Sequence, residues 1–356
     1  MNCSVLYPRR WQYWLPWLEF MCDVLEADWT ERERIDLEAY EANNQVGDIP
    51  TTSRQQSIML MYMDQKGSRQ GNYKTIIKAL LADGSNLSST SFPEVFDKEP
   101  RGRRKETNKR KREELDLEND KFGDYFDDDA VSSGPSEPPT PQKPRDPRRS
   151  PPLGISNPGM AESIPIRLRL FKILSLVTYT LRPPSELQDL YADFAAALKL
   201  LPLPVFSLIV SQRVNPLLPE THVTLLKELF YLLLPGSHKD PHKIDPDGEA
   251  QGSLTMPMME HCFVIHPANT VAVDDNAKLS LVVESSLQLL WLADTLQYTE
   301  SFAKAVEKGI KARETKPKKK RTGKAKAVDS EDAYSLEVLT NSTERIQQLL
   351  EVLEMT

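Results

Sequence analysis

The side chains best suited to chemistry are a few imidazoles and one thiol. His238 and His242 stand four positions apart, and His261, Cys262 and His266 begin nineteen residues after His242. Neutral imidazole and thiolate both bind zinc, so these five side chains are a candidate metal set. Against it, Pro241 lies between the first two histidines and would break the helix needed to align them, and no Cys-x-x-Cys pair accompanies them. A solvated loop fits better, with no metal or other cofactor expected. Asp245, Asp247 and Gly248 resemble a fragment of a calcium loop without its remaining ligands or terminal glutamate. Phosphate-cradling, dinucleotide, zinc-protease and nucleophile-elbow motifs are missing too. With only 14 glycines against 27 prolines, Gly-rich ligand loops are disfavoured. A non-enzymatic protein is the expectation.

Cations give a stronger signal. Segment 101–112 (RGRRKETNKRKR) places Arg103, Arg104 and Lys105 ahead of Lys109, Arg110, Lys111 and Arg112, a spacing that resembles bipartite nuclear import signals. Lys316, Lys318, Lys319, Lys320 and Arg321 resemble the single-cluster type. An import receptor needs an extended, accessible chain, so nuclear localisation and an import receptor as partner follow as expectations. The rival is a nucleic-acid-associated factor that uses its basic tails on chromatin or RNA. No aromatic residues interleave the cations and the net charge is -7, so such contact would be unspecific. Thr140, in Thr140-Pro141-Gln142-Lys143, resembles the full site of a proline-directed kinase, and Ser150-Pro151 the minimal one. Segment 144–149 also fits a proline-rich ligand for an aromatic-grooved domain.

These residues need elements to carry them. At 356 residues the chain has room for about two domains. A helical block is expected over 8–96. Trp11, Trp14, Leu15, Leu18, Met21, Cys22, Leu25 and Trp29 recur at three- and four-residue steps, the mark of one buried face. Pro16 should kink or restart that helix, and Thr30 with Glu33 makes a capping box for another. The tryptophans Trp11, Trp14 and Trp17 beside Arg9 and Arg10, or the Met59, Met61 and Met63 run, could instead face a partner, but burial is the usual reason for such periodicity.

Segment 97–162 changes character. Ten of the prolines lie between 100 and 160, and the basic run is answered by nine acids in 113–129. Such a stretch buries too little apolar area to offset chain entropy, so a long disordered linker is expected. Over 163–310 the pattern predicts helical hairpins. One helix would be capped by Ser163, a second opened by Ser185 and Gln188, and others started by Pro202 or Pro204 and by Pro219. A polar loop with β-like pieces at 262–265 and 270–273 would interrupt at 236–276. A basic linker (311–331) and a final helix (332–356) complete the chain. Leu339, Ile346 and Leu353 in that helix stand seven apart, the start of a coiled-coil seam.

The fold class expected is all-α: helical hairpins stacked as a short solenoid or an irregular bundle. Three scattered cysteines offer no disulfide framework, and no apolar run is long enough to cross a membrane. Together these features point to a nuclear scaffold or adaptor that binds protein partners in a complex, without membrane contact.

Overall fold

The computed structural model describes residues 1–42, 49–64, 69–93, 158–212, 214–318 and 330–355. It is all-α, with no strand among the described residues. A short α1 (Cys3–Leu6) leads into α2 (Pro8–Ala42), one continuous helix of 35 residues. The breaks expected at Pro16 and Thr30 do not occur. Both residues lie on the exposed side, where water can satisfy the carbonyl that the missing Pro16 amide does not serve.

After a 3₁₀ turn (Arg54–Gln56) come α3 (Ile58–Asp64), α4 (Arg69–Leu80) and α5 (Asn86–Ser91). The buried Asp36 anchors that turn to α2, accepting from the amides of Ser53 (2.7 Å) and Arg54 (3.2 Å) and from Arg54 Nε (2.9 Å). Gly84, just past α4, has φ +77°, and a Cβ there would press on Val5 at 3.0 Å.

The next helices are α6 (Pro158–Leu181), α7 (Pro184–Lys199), α8 (Leu203–Val210) and α9 (Pro219–Leu233). Prolines mark the starts of α7, α8 and α9, where a missing amide costs nothing. α6 begins five residues earlier than the cap expected at Ser163, which is buried inside the helix. Only Arg182 and Pro183 separate α6 from α7, so the two form a hairpin.

Segment 236–276 is more helical than its composition suggests. It holds α10 (Pro241–Ile244), α11 (Pro246–Ala250), α12 (Met256–Met258) and a π turn over Met259–Phe263. The β-like 262–265 run is therefore not a strand. A short apolar run is compatible with either state, and here Cys262, Phe263 and Val264 are buried as a helical turn. Likewise 270–273 is no strand and leads into α13 (Val273–Leu292). α14 (Glu300–Lys318) and α15 (Ser330–Met355) follow, so the expected basic linker is helical as far as Lys318.

The packing is an irregular bundle. α13 runs through its centre against α8, α9, α14 and α15, while α7 packs on α4 and α9, and α2 on α6. One apolar core extends from Trp29 in α2 to Leu350 in α15, so the two blocks expected from sequence share an interior. The seam of Leu339, Ile346 and Leu353 is spent inside the chain, with Leu339 and Ile346 buried and Leu353 packed against the same core.

Two buried arginines tie distant segments together. Arg167 donates to the carbonyls of Leu80 and Ala82, to Ser163 Oγ (2.8 Å) and to Ser4 Oγ (3.3 Å). It thereby joins α1, the end of α4 and α6, although burial lowers its pKa to about 9. Arg313 donates to the carbonyl of Val264 at 3.0 Å. One turn earlier, a Cβ on Gly309 would lie 1.7 Å from that same oxygen, so only glycine lets α14 approach so closely.

Candidate functional site

The inner side of α2 is fixed by what it touches. Trp11, Cys22 and Trp29 are buried, and Trp11 and Cys22 pack with Ile166 of α6. Arg169 of α6 reaches across to Glu26 (2.9 and 2.5 Å) and Asp23 (2.6 Å), holding the Glu26 carboxyl below its usual range through that hydrogen bond. With that side turned inward, the opposite side must face out.

That outer side is aromatic. Tyr13 is 70% exposed, Trp17 62% and Phe20 57%, flanked by Trp14 at 45% and Met21 at 47%. The Trp17 and Phe20 rings meet edge to face, 6.1 Å between centroids. Four large aromatic side chains on one two-turn stretch form a contiguous patch of the kind that marks an interaction surface. The expected buried face therefore needs correction, since Trp14 and Met21 lie outside it. Of the methionine run, Met59 and Met63 are buried and Met61 is exposed.

The histidines do not converge. Among the described residues no group of three or more His, Cys, Asp or Glu side chains is placed to hold a metal. His238 Nδ1 lies 2.9 Å from the carbonyl of Pro235, and His242 sits in the first turn of α10, which Asp240 caps. Burial pushes the Cys262 thiol up to about 11, away from the thiolate that a metal takes, and lowers the His266 pKa. The calcium-like fragment is a helix cap. Asp245 accepts from the Gly248 amide (3.0 Å) and Thr255 Oγ1 (2.7 Å), contacts that hold its carboxyl below the usual range.

Of the expected import residues, Lys316 and Lys318 belong to α14. Lys316 is half-buried and its Nζ donates to the carbonyl of Ala268, so it is not part of the extended strand of chain expected there. Lys319, Lys320 and Arg321 lie outside the described residues, as do Arg103, Arg104, Lys105, Lys109, Arg110, Lys111, Arg112, Thr140 and Ser150. The expected disordered linker is likewise outside them, apart from 158–162, which belong to α6.

Sequence reasoning found the inner side of α2, where Trp11, Leu15, Leu18, Cys22, Leu25 and Trp29 are buried or half-buried, and missed its aromatic outer side. Trp14 and Met21 share the period of the inner residues and stand at the edge of that face, next to Trp17, so periodicity alone does not show where the face ends. The available signal was the pairing of Tyr13 with Trp17 and Phe20 at steps of four and three. No known family, curated protein or solved structure matches the chain.

Proposed function

We propose that this protein is a non-enzymatic scaffold or adaptor of the nucleus, which binds other proteins through helical surfaces and carries import signals and phosphorylation sites in its 97–162 segment. The observation that supports this reading best is the exposed aromatic side of α2. Trp and Tyr concentrate binding energy at protein interfaces, because each gives a large contact area for the loss of few rotamers. Nuclear entry rests on the basic residues 103–105 and 109–112, whose spacing suits an import receptor. Lys316 is partly committed to the Ala268 carbonyl, which takes one cation from any phosphate-binding tail.

A tagged full-length chain, compared with Trp17→Glu and with a variant neutralised at Arg103, Arg104, Lys105, Lys109, Arg110, Lys111 and Arg112, tests both halves. The parent should accumulate in nuclei and co-purify with defined proteins, the first variant should lose those proteins, and the second should stay outside. A parent that remains cytoplasmic and co-purifies with the same proteins as Trp17→Glu would end the proposal.

A further inference from the structure

We infer that the aromatic side of α2 is a self-association surface, on which two copies of this chain pair helix against helix, antiparallel and centred on Trp17. This rests on the interaction-surface reading above and names the occupant.

Tyr13, Trp17, Phe20 and Val24 alternate steps of four and three, the spacing by which two helices interlock their side chains. Tyr13 lies four residues before Trp17 and Phe20 three after it. An antiparallel two-fold pair with Trp17 against Trp17 therefore sets each Tyr13 within one residue's rise, about 1.5 Å, of the other copy's Phe20.

Charge selects the direction. Arg9, Pro16 and Asp23 are seven apart, so they share one edge of the stripe, and Arg9 and Asp23 are both exposed. A two-fold axis perpendicular to the helices brings equal edges together and places Arg9 of one copy beside Asp23 of the other, twice. A parallel pair would instead set that edge against the Trp14 and Met21 edge of the other copy, where neither charge meets its complement. The Asp23 side chain is already paired with Arg169, yet it remains 65% exposed and has acceptor capacity left for a second cation.

Area sets the strength. Aromatic side chains bury roughly 150–250 Å² each, so at these exposures the patch offers on the order of 500 Å² per copy. Two copies then bury about 1,000 Å², near the lower limit for a specific interface, which fits a micromolar dimer. The seam also ends within two heptads. The same steps of four and three continue through Ala27, Glu31, Arg34 and Glu38, where the stripe is charged, so longer helical assemblies are not supported.

Sedimentation velocity of the full chain between about 1 and 100 µM should show a concentration-dependent dimer. Trp17→Glu should weaken it about thirtyfold or more, as expected for a central anchor, with an unchanged circular dichroism spectrum. Arg9→Glu should weaken it roughly tenfold, and adding Asp23→Arg should restore it. Disulfide trapping should link a mixture of Trp14→Cys and Met21→Cys chains and neither variant alone. A chain that stays monomeric at 100 µM, or a dimer that survives Trp17→Glu, overturns the inference. If the chain is monomeric while Trp17→Glu still loses co-purifying proteins, this inference fails and the scaffold reading stands. A dimer with no other co-purifying protein gives the reverse.

Discussion

Helices α13 and α2 depart from the rule of apolar inside and polar outside in opposite directions. α13 buries Asn276, Lys278, Ser280, Glu284, Ser285 and Ser286. Each has a partner within the chain. Asn276 serves the Ala268 amide and the Ala272 carbonyl, Lys278 the Lys199 carbonyl and Asp274, and Ser280 lies 3.0 Å from Ser342. Glu284 takes a two-point grip from Arg345 at 2.6 and 2.9 Å, Ser285 donates to Val210 and Ser286 to Val282. α2 instead leaves Tyr13, Trp17 and Phe20 in water. The first departure is closed inside the molecule, where an orphaned polar group would be costly. The second is left open to water by the chain itself. Interior polar residues here report on folding, and exterior aromatic ones test the association proposed above.

Breaking closed contacts should therefore cost stability, while altering the open face should not. The largest effect is expected at Arg167. Arg167→Met leaves the buried carbonyls of Leu80 and Ala82 without their donor, at roughly 2 kcal/mol each, so urea unfolding should show a loss of about 4 kcal/mol.

His222 on α9 tests closure through pH. Burial lowers its pKa to about 4, below the 6.5 of an unperturbed imidazole. Between those values the unfolded chain binds a proton that the folded one refuses. Stability should consequently fall as pH drops from about 6.5 to about 4, by up to about 3 kcal/mol, and His222→Gln should flatten that slope in unfolding midpoints measured across the range.

Arg345→Ala takes the cation from the buried Glu284 carboxylate, which keeps the Gln288 amide at 3.3 Å, and should cost about 2 kcal/mol, less than a fully buried pair because Arg345 is itself half-exposed. The smallest stability effect is expected at Trp17→Glu, within about 0.5 kcal/mol by thermal unfolding of the monomer, since the ring is mostly exposed and meets the Phe20 ring edge to face on the same outer side. A Trp17→Glu variant that unfolded as readily as Arg167→Met would erase the distinction between the two helices.

Much of the fold was legible beforehand. The apolar steps of α6, α7 and α9, the prolines opening α7, α8 and α9, and Gly84 after α4 are local signals with local causes. Other features were not readable because their causes lie far off in sequence. Ser163 reads as a cap, yet Arg167, four residues on, binds its hydroxyl inside a helix that began at Pro158. The 262–265 run reads as a strand, yet no strand stands among the described residues to pair it, and α14 packs closely on it at Gly309. Lys316 reads as a free cation until the Ala268 carbonyl, 48 residues away, is brought beside it.

The same division holds for the candidate site. Composition and spacing alone determined that this chain forms helices, because steps of three and four follow from the pitch of the backbone itself. The tertiary structure decided where the inner side of α2 ends. Trp11, Leu15, Leu18, Cys22, Leu25 and Trp29 mark that side by their period, but Trp14 and Met21 keep the same period and stay exposed, because the contact is made by Ile166 and Arg169 on α6, which meet Trp11, Cys22, Asp23 and Glu26.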